Sequence, residues 1–148
     1  MIRLLLLALT LTGATVAIHA VGTVHVVLPL SGVWGNTVTD RKVREQAIPL
    51  IRLVSGLLLL HLLEMTIWAI AFAAVGVLPD FETALYYSFK SYTTVGYGDV
   101  LPPTSWRLIG PVEAAVGVLM LGWSTGFIVA AVQQIYHDHR ERPRRPRT

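Results

Sequence analysis

Hydrophobic residues fall into three long runs, separated by short polar stretches. The runs cover about residues 2–30, 48–78 and 106–136. Each run exceeds the ~20 residues that a helix needs to cross the hydrocarbon core of a bilayer. The pattern therefore predicts three membrane-spanning helices.

The first run also has features of a secretory signal. Met1-Ile2-Arg3 precedes a leucine run, but Ile18 makes Ala20 a poor cleavage position. We expect a retained transmembrane helix that ends at the Pro-Leu-Ser-Gly segment 29–32. Cleavage, or a helix lying at the interface, is the alternative.

A shorter helix is predicted between the second and third runs. Asp80 has the character of an N-cap and Glu82 falls in the first turn. A helix over residues 81–92 is too short to span, which favours a re-entrant segment. Backbone that is not helical is tolerated at membrane depth only where protein covers it or it lines a water-filled cavity.

The segment that follows this helix reads Thr94-Val95-Gly96-Tyr97-Gly98. Carbonyls that all point to one axis require backbone conformations of alternating sign, which Gly96 and Gly98 adopt without steric cost. Rings of such carbonyls replace the water shell of K⁺ in potassium-selectivity filters. A surface turn is the alternative for Gly-Tyr-Gly-Asp in isolation.

This chain resembles the potassium channel family, specifically small bacterial pore-domain proteins. The resemblance covers roughly residues 47–136 and rests on the run 84–92, the filter, Leu101-Pro102 and Trp106-Arg107. It implies an all-α membrane fold in which two helices flank a pore helix and filter, with an additional N-terminal helix. It also implies a homotetramer that binds K⁺ at Thr94, Val95, Gly96 and Tyr97.

Composition excludes several other classes of protein. Of the 148 residues, 53% are hydrophobic and 14% are charged, whereas soluble domains carry about 25% charge. The chain has no cysteine, and no nucleophile–base set or paired carboxylates indicate an enzyme. We divide the chain into 1–46 (helix and loop), 47–136 (pore domain) and 137–148 (basic tail).

The distribution of charge predicts the topology. Basic residues prefer the cytoplasmic side, and both the loop after the first run and the tail are basic. We expect a multi-pass protein of the inner or plasma membrane with the C-terminus inside, the filter outside and the N-terminus outside. The arginine-rich tail indicates contact with anionic lipid and not with nucleic acid.

Several side chains are candidates to support the filter. Tyr86 and Tyr87 match the aromatic collar of the family, and its filter aspartate corresponds to Asp99. Lys90 stands where some members carry an acid, so we hypothesise a Lys90–Asp99 salt bridge, with Lys90 extending to the outer surface as the alternative. Glu113 is expected to pair with Lys90 or with a pore-helix group.

Two ionisable residues, His61 and Glu64, lie near the middle of the second run, beyond Arg52 at its start. His61, Glu64 and Trp68 share one helix face, and an ionisable residue at membrane depth is a functional candidate. Glu64 is interpreted either as a proton sensor or as a protonated acid bonded to His61, the Trp68 indole or another helix.

Gly117 and Gly122 are candidate gating hinges of the last helix. Close helix packing through small residues is the alternative explanation. The function predicted overall is passive, potassium-selective conduction, with K⁺ as the permeant ion and no cofactor. A non-conducting channel-like subunit and a less selective cation channel are the alternatives.

Overall fold

The structure, a computed structural model, describes residues 1–34 and 43–140. These residues form four α-helices and no strand. The helices are α1 (Ile2–Trp34), α2 (Val43–Ala74), α3 (Phe81–Tyr92) and α4 (Ile109–Arg140), with a 3-10 turn at Thr104–Trp106 before α4.

Three of these helices are long and apolar enough to cross a membrane: α1, α2 and α4. The predicted all-α fold is therefore confirmed. The predicted end of the first helix is wrong, because Pro29 lies inside α1 and the helix continues to Trp34. Proline removes one backbone donor, a loss that membrane helices tolerate.

The C-terminus of α2 is closed by a Schellman motif. Gly76 adopts a φ of 72°, its N–H bonds to Ala73 O at 3.2 Å, and the Val77 N–H bonds to Phe72 O at 2.9 Å. The apolar run continues to residue 78, but the left-handed glycine ends the helix at Ala74. The run thus overestimates the length of the helix.

The N-terminus of α3 is capped as predicted. The Asp80 side chain accepts hydrogen bonds from the Thr83 N–H and hydroxyl, each at 2.8 Å. Glu82 lies in the first turn, where its charge favours the positive end of the helix dipole. The observed helix, Phe81–Tyr92, has the predicted bounds.

Helix α1 packs against α2 through one glycine on each helix. A Cβ on Gly22 would lie 2.5 Å from a Leu60 methyl carbon, and one on Gly56 would lie 2.9 Å from a Val26 methyl carbon. Such contacts let helices approach closely in a membrane. The main hydrophobic core includes Leu11, which lies nearer the N-terminus of α1 than Gly22 does.

Two predictions lie outside the described residues. The basic loop between α1 and α2 falls largely in 35–42, and most of the arginine-rich tail falls in 141–148. Arg44 is part of the α2 backbone, so the loop is shorter than the polar stretch indicates.

Candidate functional site

The segment 94–98 that follows α3, which we call the filter strand although it forms no β-sheet, has backbone φ angles of alternating sign. Thr94, Gly96 and Gly98 have φ values of 61°, 53° and 77°, whereas Val95 and Tyr97 are not in the positive-φ region. The sequence indicates this conformation for the two glycines. It gives no such signal for Thr94, because a β-branched residue rarely adopts a positive φ.

Backbone hydrogen bonds join this strand to the C-terminal end of α3. The Thr94 N–H bonds to Ser91 O at 2.9 Å, and the Gly96 N–H bonds to Lys90 O at 3.1 Å. The last carbonyls of the helix are thereby partly satisfied by the strand. The strained φ of Thr94 persists because its own N–H and that of Gly96 are both bonded to carbonyls of α3.

Lys90 and Asp99 form the ion pair that the sequence suggests. Lys90 Nζ lies 2.6 Å from Asp99 Oδ1 and donates a second bond to Val100 O at 2.8 Å. The Lys90 side chain is 5% exposed, which excludes its extension to the surface in this structure. Its ammonium also lies 5.2 Å from the ring centroid of Tyr86 and 5.4 Å from that of Tyr87, within cation–π range.

Asp99 receives a second side-chain hydrogen bond, from Tyr86. The Tyr86 hydroxyl donates to Asp99 Oδ2 at 2.5 Å. The bonds from Lys90 and Tyr86 lower the pKa of the Asp99 carboxyl from 3.8 to about 2, and the bond to Asp99 raises the pKa of the Tyr86 hydroxyl. The two ends of the 86–99 segment are therefore linked by charge-assisted bonds.

We expect Lys90→Met to lower the thermal midpoint of the purified protein by a few degrees and to shorten the time over which it conducts. The substitution leaves Asp99 with one donor side chain and Val100 O without its side-chain donor. Differential scanning fluorimetry in detergent measures the first effect, and flux recordings over time measure the second.

Arg107→Met is the matched control, because Arg107 is a basic, exposed residue and should tolerate the change. Asp99 contributes stability above its unfolded pKa, and this contribution is lost as the pH falls from 3.8 towards 2. The difference in thermal midpoint between wild type and Lys90→Met should narrow over that pH range. Identical midpoints and flux lifetimes at neutral pH would eliminate a bracing role for Lys90.

Glu113 of α4 pairs with a pore-helix hydroxyl. Ser88 Oγ lies 2.5 Å from Glu113 Oε1 and 2.7 Å from Met65 O. One hydroxyl hydrogen cannot serve both acceptors. Since the carbonyl only accepts, Ser88 donates to Met65, and the remaining bond requires a protonated Glu113. Of the two predicted partners, the pore-helix group is the observed one.

Glu113→Gln is expected to leave stability within about 1 kcal/mol of wild type. A glutamine N–H can donate to Ser88 as the protonated acid does, and it retains the volume of the side chain. Thermal unfolding in detergent provides the measurement, with the exposed substitution Glu82→Gln as the control. A large loss confined to position 113 would indicate that the carboxyl is ionised instead.

A second polar centre surrounds Glu64 and joins all four helices. Glu64 Oε1 lies 2.8 Å from His19 Nδ1, and the Tyr92 hydroxyl donates to Oε2 at 2.5 Å. His61 Nδ1 lies 3.0 Å from Tyr92 Oη. Ser124 Oγ closes the ring, 3.0 Å from His61 Nε2 and 3.3 Å from His19 Nε2. We name these five side chains the α1–α4 ring.

The α1–α4 ring is one hydrogen short when Glu64 is ionised. Its five links need five hydrogens, but two neutral imidazoles, a phenol and a hydroxyl supply four while Glu64 is ionised. One link therefore lacks a hydrogen unless an additional proton or another cation is present. All five side chains are buried, so water cannot easily complete the missing link.

The environment of Glu64 differs partly from the predicted one. A neighbouring helix does supply a partner, and His61 Nδ1 is 3.5 Å from Oε2. The Trp68 indole, however, donates to Thr15 Oγ1 at 2.8 Å and not to Glu64. Sequence reasoning missed His19, although an ionisable residue within an apolar run is the signal that identified Glu64.

The two glycines proposed as hinges have different surroundings. A Cβ on Gly117 would lie 2.1 Å from Tyr92 O, whereas one on Gly122 would meet no atom within 4 Å. Gly117 therefore permits close contact between α4 and the end of α3. A gating role for either glycine remains a prediction.

The filter strand and the Lys90–Asp99 pair lie within a region that matches known proteins, whereas His19 of the α1–α4 ring lies outside it. Residues 57–134 match the ion channel family. The chain is 33% identical over 63 residues to potassium voltage-gated channel protein Shal of Drosophila melanogaster, covering 42% of this chain and 11% of that protein. It is 34% identical over 64 residues to potassium voltage-gated channel subfamily A member 2 of Xenopus laevis and of Mus musculus, covering 43% of this chain and 13% of each relative. No solved structure matches.

Proposed function

We propose that this chain, which belongs to the ion channel family as a potassium channel pore-domain protein, conducts K⁺ selectively and passively. The observation that carries the proposal is the alternation of positive φ at Thr94, Gly96 and Gly98. Alternation of this kind lets successive carbonyls point towards one side of a strand, as a K⁺-coordinating filter needs. The carbonyls of residues 94–97 are the ones we assign to K⁺.

A homotetramer follows from the incomplete surroundings of this strand. Val95 is 51% exposed and Tyr97 is 75% exposed in the single chain. A strand at membrane depth must be covered by protein or line a water-filled cavity. Four copies meet both conditions, because each places its side chains against a neighbour and its carbonyls on a shared axis.

The orientation we propose places the filter towards the outside and the C-terminus in the cytoplasm. The 78–107 segment carries Lys90 and Arg107 against three acidic residues, and Lys90 is neutralised by Asp99. Basic loops stay on the cytoplasmic side. The three candidate spanning helices among residues 1–34 and 43–140 then give the N-terminus an outside position.

Flux of K⁺ and Na⁺ from liposomes containing the purified protein tests the proposal. Wild-type protein is expected to carry K⁺ and to exclude Na⁺. Gly96→Ser should abolish K⁺ flux, because Gly96 has a φ of 53° that a side chain disfavours.

Gly13→Ser is the matched control, since nothing lies within 4 Å of the added Cβ. A correctly assembled wild type that carries no K⁺ would favour a non-conducting subunit. Equal fluxes of K⁺ and Na⁺ would favour a less selective cation channel. Either result would overturn the proposed selectivity.

A further inference from the structure

The α1–α4 ring contains a compact set of metal-ligand atoms. His19, His61 and Glu64 each offer one donor atom, and the three atoms lie within 4.8 Å of one another. All three side chains are buried. Imidazole nitrogen and carboxylate oxygen are donors that Zn²⁺ prefers in proteins.

The separations between these atoms suit a small divalent ion. His19 Nδ1 lies 2.8 Å from Glu64 Oε1, and His61 Nδ1 lies 3.5 Å from Oε2. Tetrahedral ligands bound to Zn²⁺ at ~2.0–2.1 Å stand about 3.3 Å apart. These two distances lie on either side of that value, and the wider separations in the set, which reach no more than 4.8 Å, must shorten by side-chain rotation to form the bonds.

Ser124 positions both imidazoles for this purpose. Its single oxygen lies near both Nε2 atoms, at 3.0 Å for His61 and 3.3 Å for His19. When both Nε2–H groups donate to that oxygen, both Nδ1 atoms are unprotonated and present lone pairs towards Glu64. Metal-binding histidines commonly donate their other N–H to such a partner.

Tyr92 supplies the fourth donor atom, a phenol oxygen, and balances the charge. Its Oη lies 2.5 Å from Glu64 Oε2 and 3.0 Å from His61 Nδ1. A carboxylate and a phenolate together neutralise Zn²⁺, a requirement in a buried site because an uncompensated charge is costly there. Binding releases the phenol proton, as metal ligands must be deprotonated.

We propose that His19, His61, Glu64 and Tyr92 bind one Zn²⁺ ion per subunit. The ion joins α1 and α2 to the C-terminal residue of the pore helix. The proposal goes beyond ion conduction and replaces the expectation of a chain without a cofactor. It does not depend on whether the protein conducts K⁺.

Metal content provides the test. The full chain is expressed with an affinity tag that lacks histidine, supplied with Zn²⁺, washed with a chelator and analysed by inductively coupled plasma mass spectrometry. Wild type should retain about one Zn²⁺ per subunit, and Glu64→Gln and His19→Gln should retain less than about a tenth of that amount.

His25→Gln is the matched control, because His25 lies on the same helix, is exposed and bonds through Nδ1 to the Val21 carbonyl. Its Zn²⁺ content should equal that of wild type. Wild-type protein prepared with Co²⁺ in place of Zn²⁺ reports the coordination number of the bound metal. Four-coordinate Co²⁺ absorbs strongly in the visible region, whereas octahedral Co²⁺ absorbs weakly.

A metal-free wild type would overturn the proposal and would leave a proton as the occupant of the ring. Zinc that persists in Glu64→Gln, or that is lost in His25→Gln, would overturn it as well, because the ion would then lie elsewhere. The weak spectrum of octahedral Co²⁺ would contradict the four-ligand site. Strong visible absorption that disappears in Glu64→Gln would support it.

Discussion

Gly117→Ala is expected to separate α4 from the end of the pore helix and to abolish K⁺ flux. An added Cβ would lie 2.1 Å from Tyr92 O and 2.9 Å from its carbonyl carbon. Both are backbone atoms, so no side-chain rotation relieves the clash. Overpacking of this kind costs about 1–3 kcal/mol or more, and a backbone contact at 2.1 Å favours the upper end, which exceeds the ~1 kcal/mol that alanine gains over glycine in a helix.

Gly126→Ala is the control on the same helix, since Gly126 is not a candidate hinge. Nothing lies within 4 Å of its added Cβ, so the gain in helix propensity should leave the variant as stable as wild type or more stable by about 1 kcal/mol. Thermal unfolding in detergent and K⁺ flux from liposomes measure both variants. Unchanged stability with lost flux in Gly117→Ala would instead indicate a hinge.

Glu64→Leu is the second substitution expected to have a large effect. It removes the acceptor of His19 and Tyr92 and leaves those groups in a buried apolar environment. Removing one partner of a buried ionic pair costs about 3–5 kcal/mol. We expect the thermal midpoint to fall far below that of wild type. The proposed homotetramer should dissociate in the purified protein.

Glu82→Leu controls for the loss of a carboxylate, since Glu82 is exposed in the first turn of α3. A double-mutant cycle isolates the link to α1. His19→Leu combined with Glu64→Leu should cost less than the two single substitutions added together, because the pair leaves fewer unsatisfied groups. Strict additivity would show that His19 and Glu64 do not interact.

The elements that sequence reasoning predicted well are those with local causes. Asp80 and Thr83 are three residues apart and cap α3 without help from other helices. Gly96 and Gly98 indicate the positive φ that their positions adopt. Lys90 and Asp99 are nine residues apart and meet at 2.6 Å, because the short strand returns beside its own helix.

Predictions were less complete where contacts join distant segments. Pro29 is a helix-ending signal, yet α1 continues beyond it. Helical spacing predicts that Trp68 lies beside Glu64, but its indole N–H donates to Thr15, 53 residues away. Helical periodicity identifies residues that share a face and contains no information about the helix packed against that face.

Local signals along the chain were enough to predict the three apolar spans, the capped pore helix and the filter strand, because hydropathy, capping and glycine φ act within a few residues. Only the tertiary structure brought His19, His61, Glu64, Tyr92 and Ser124 together from four helices. Their association depends on how α1, α2, α3 and α4 pack. In a membrane, such packing follows from close contacts and buried hydrogen bonds, which no pattern along a single helix specifies.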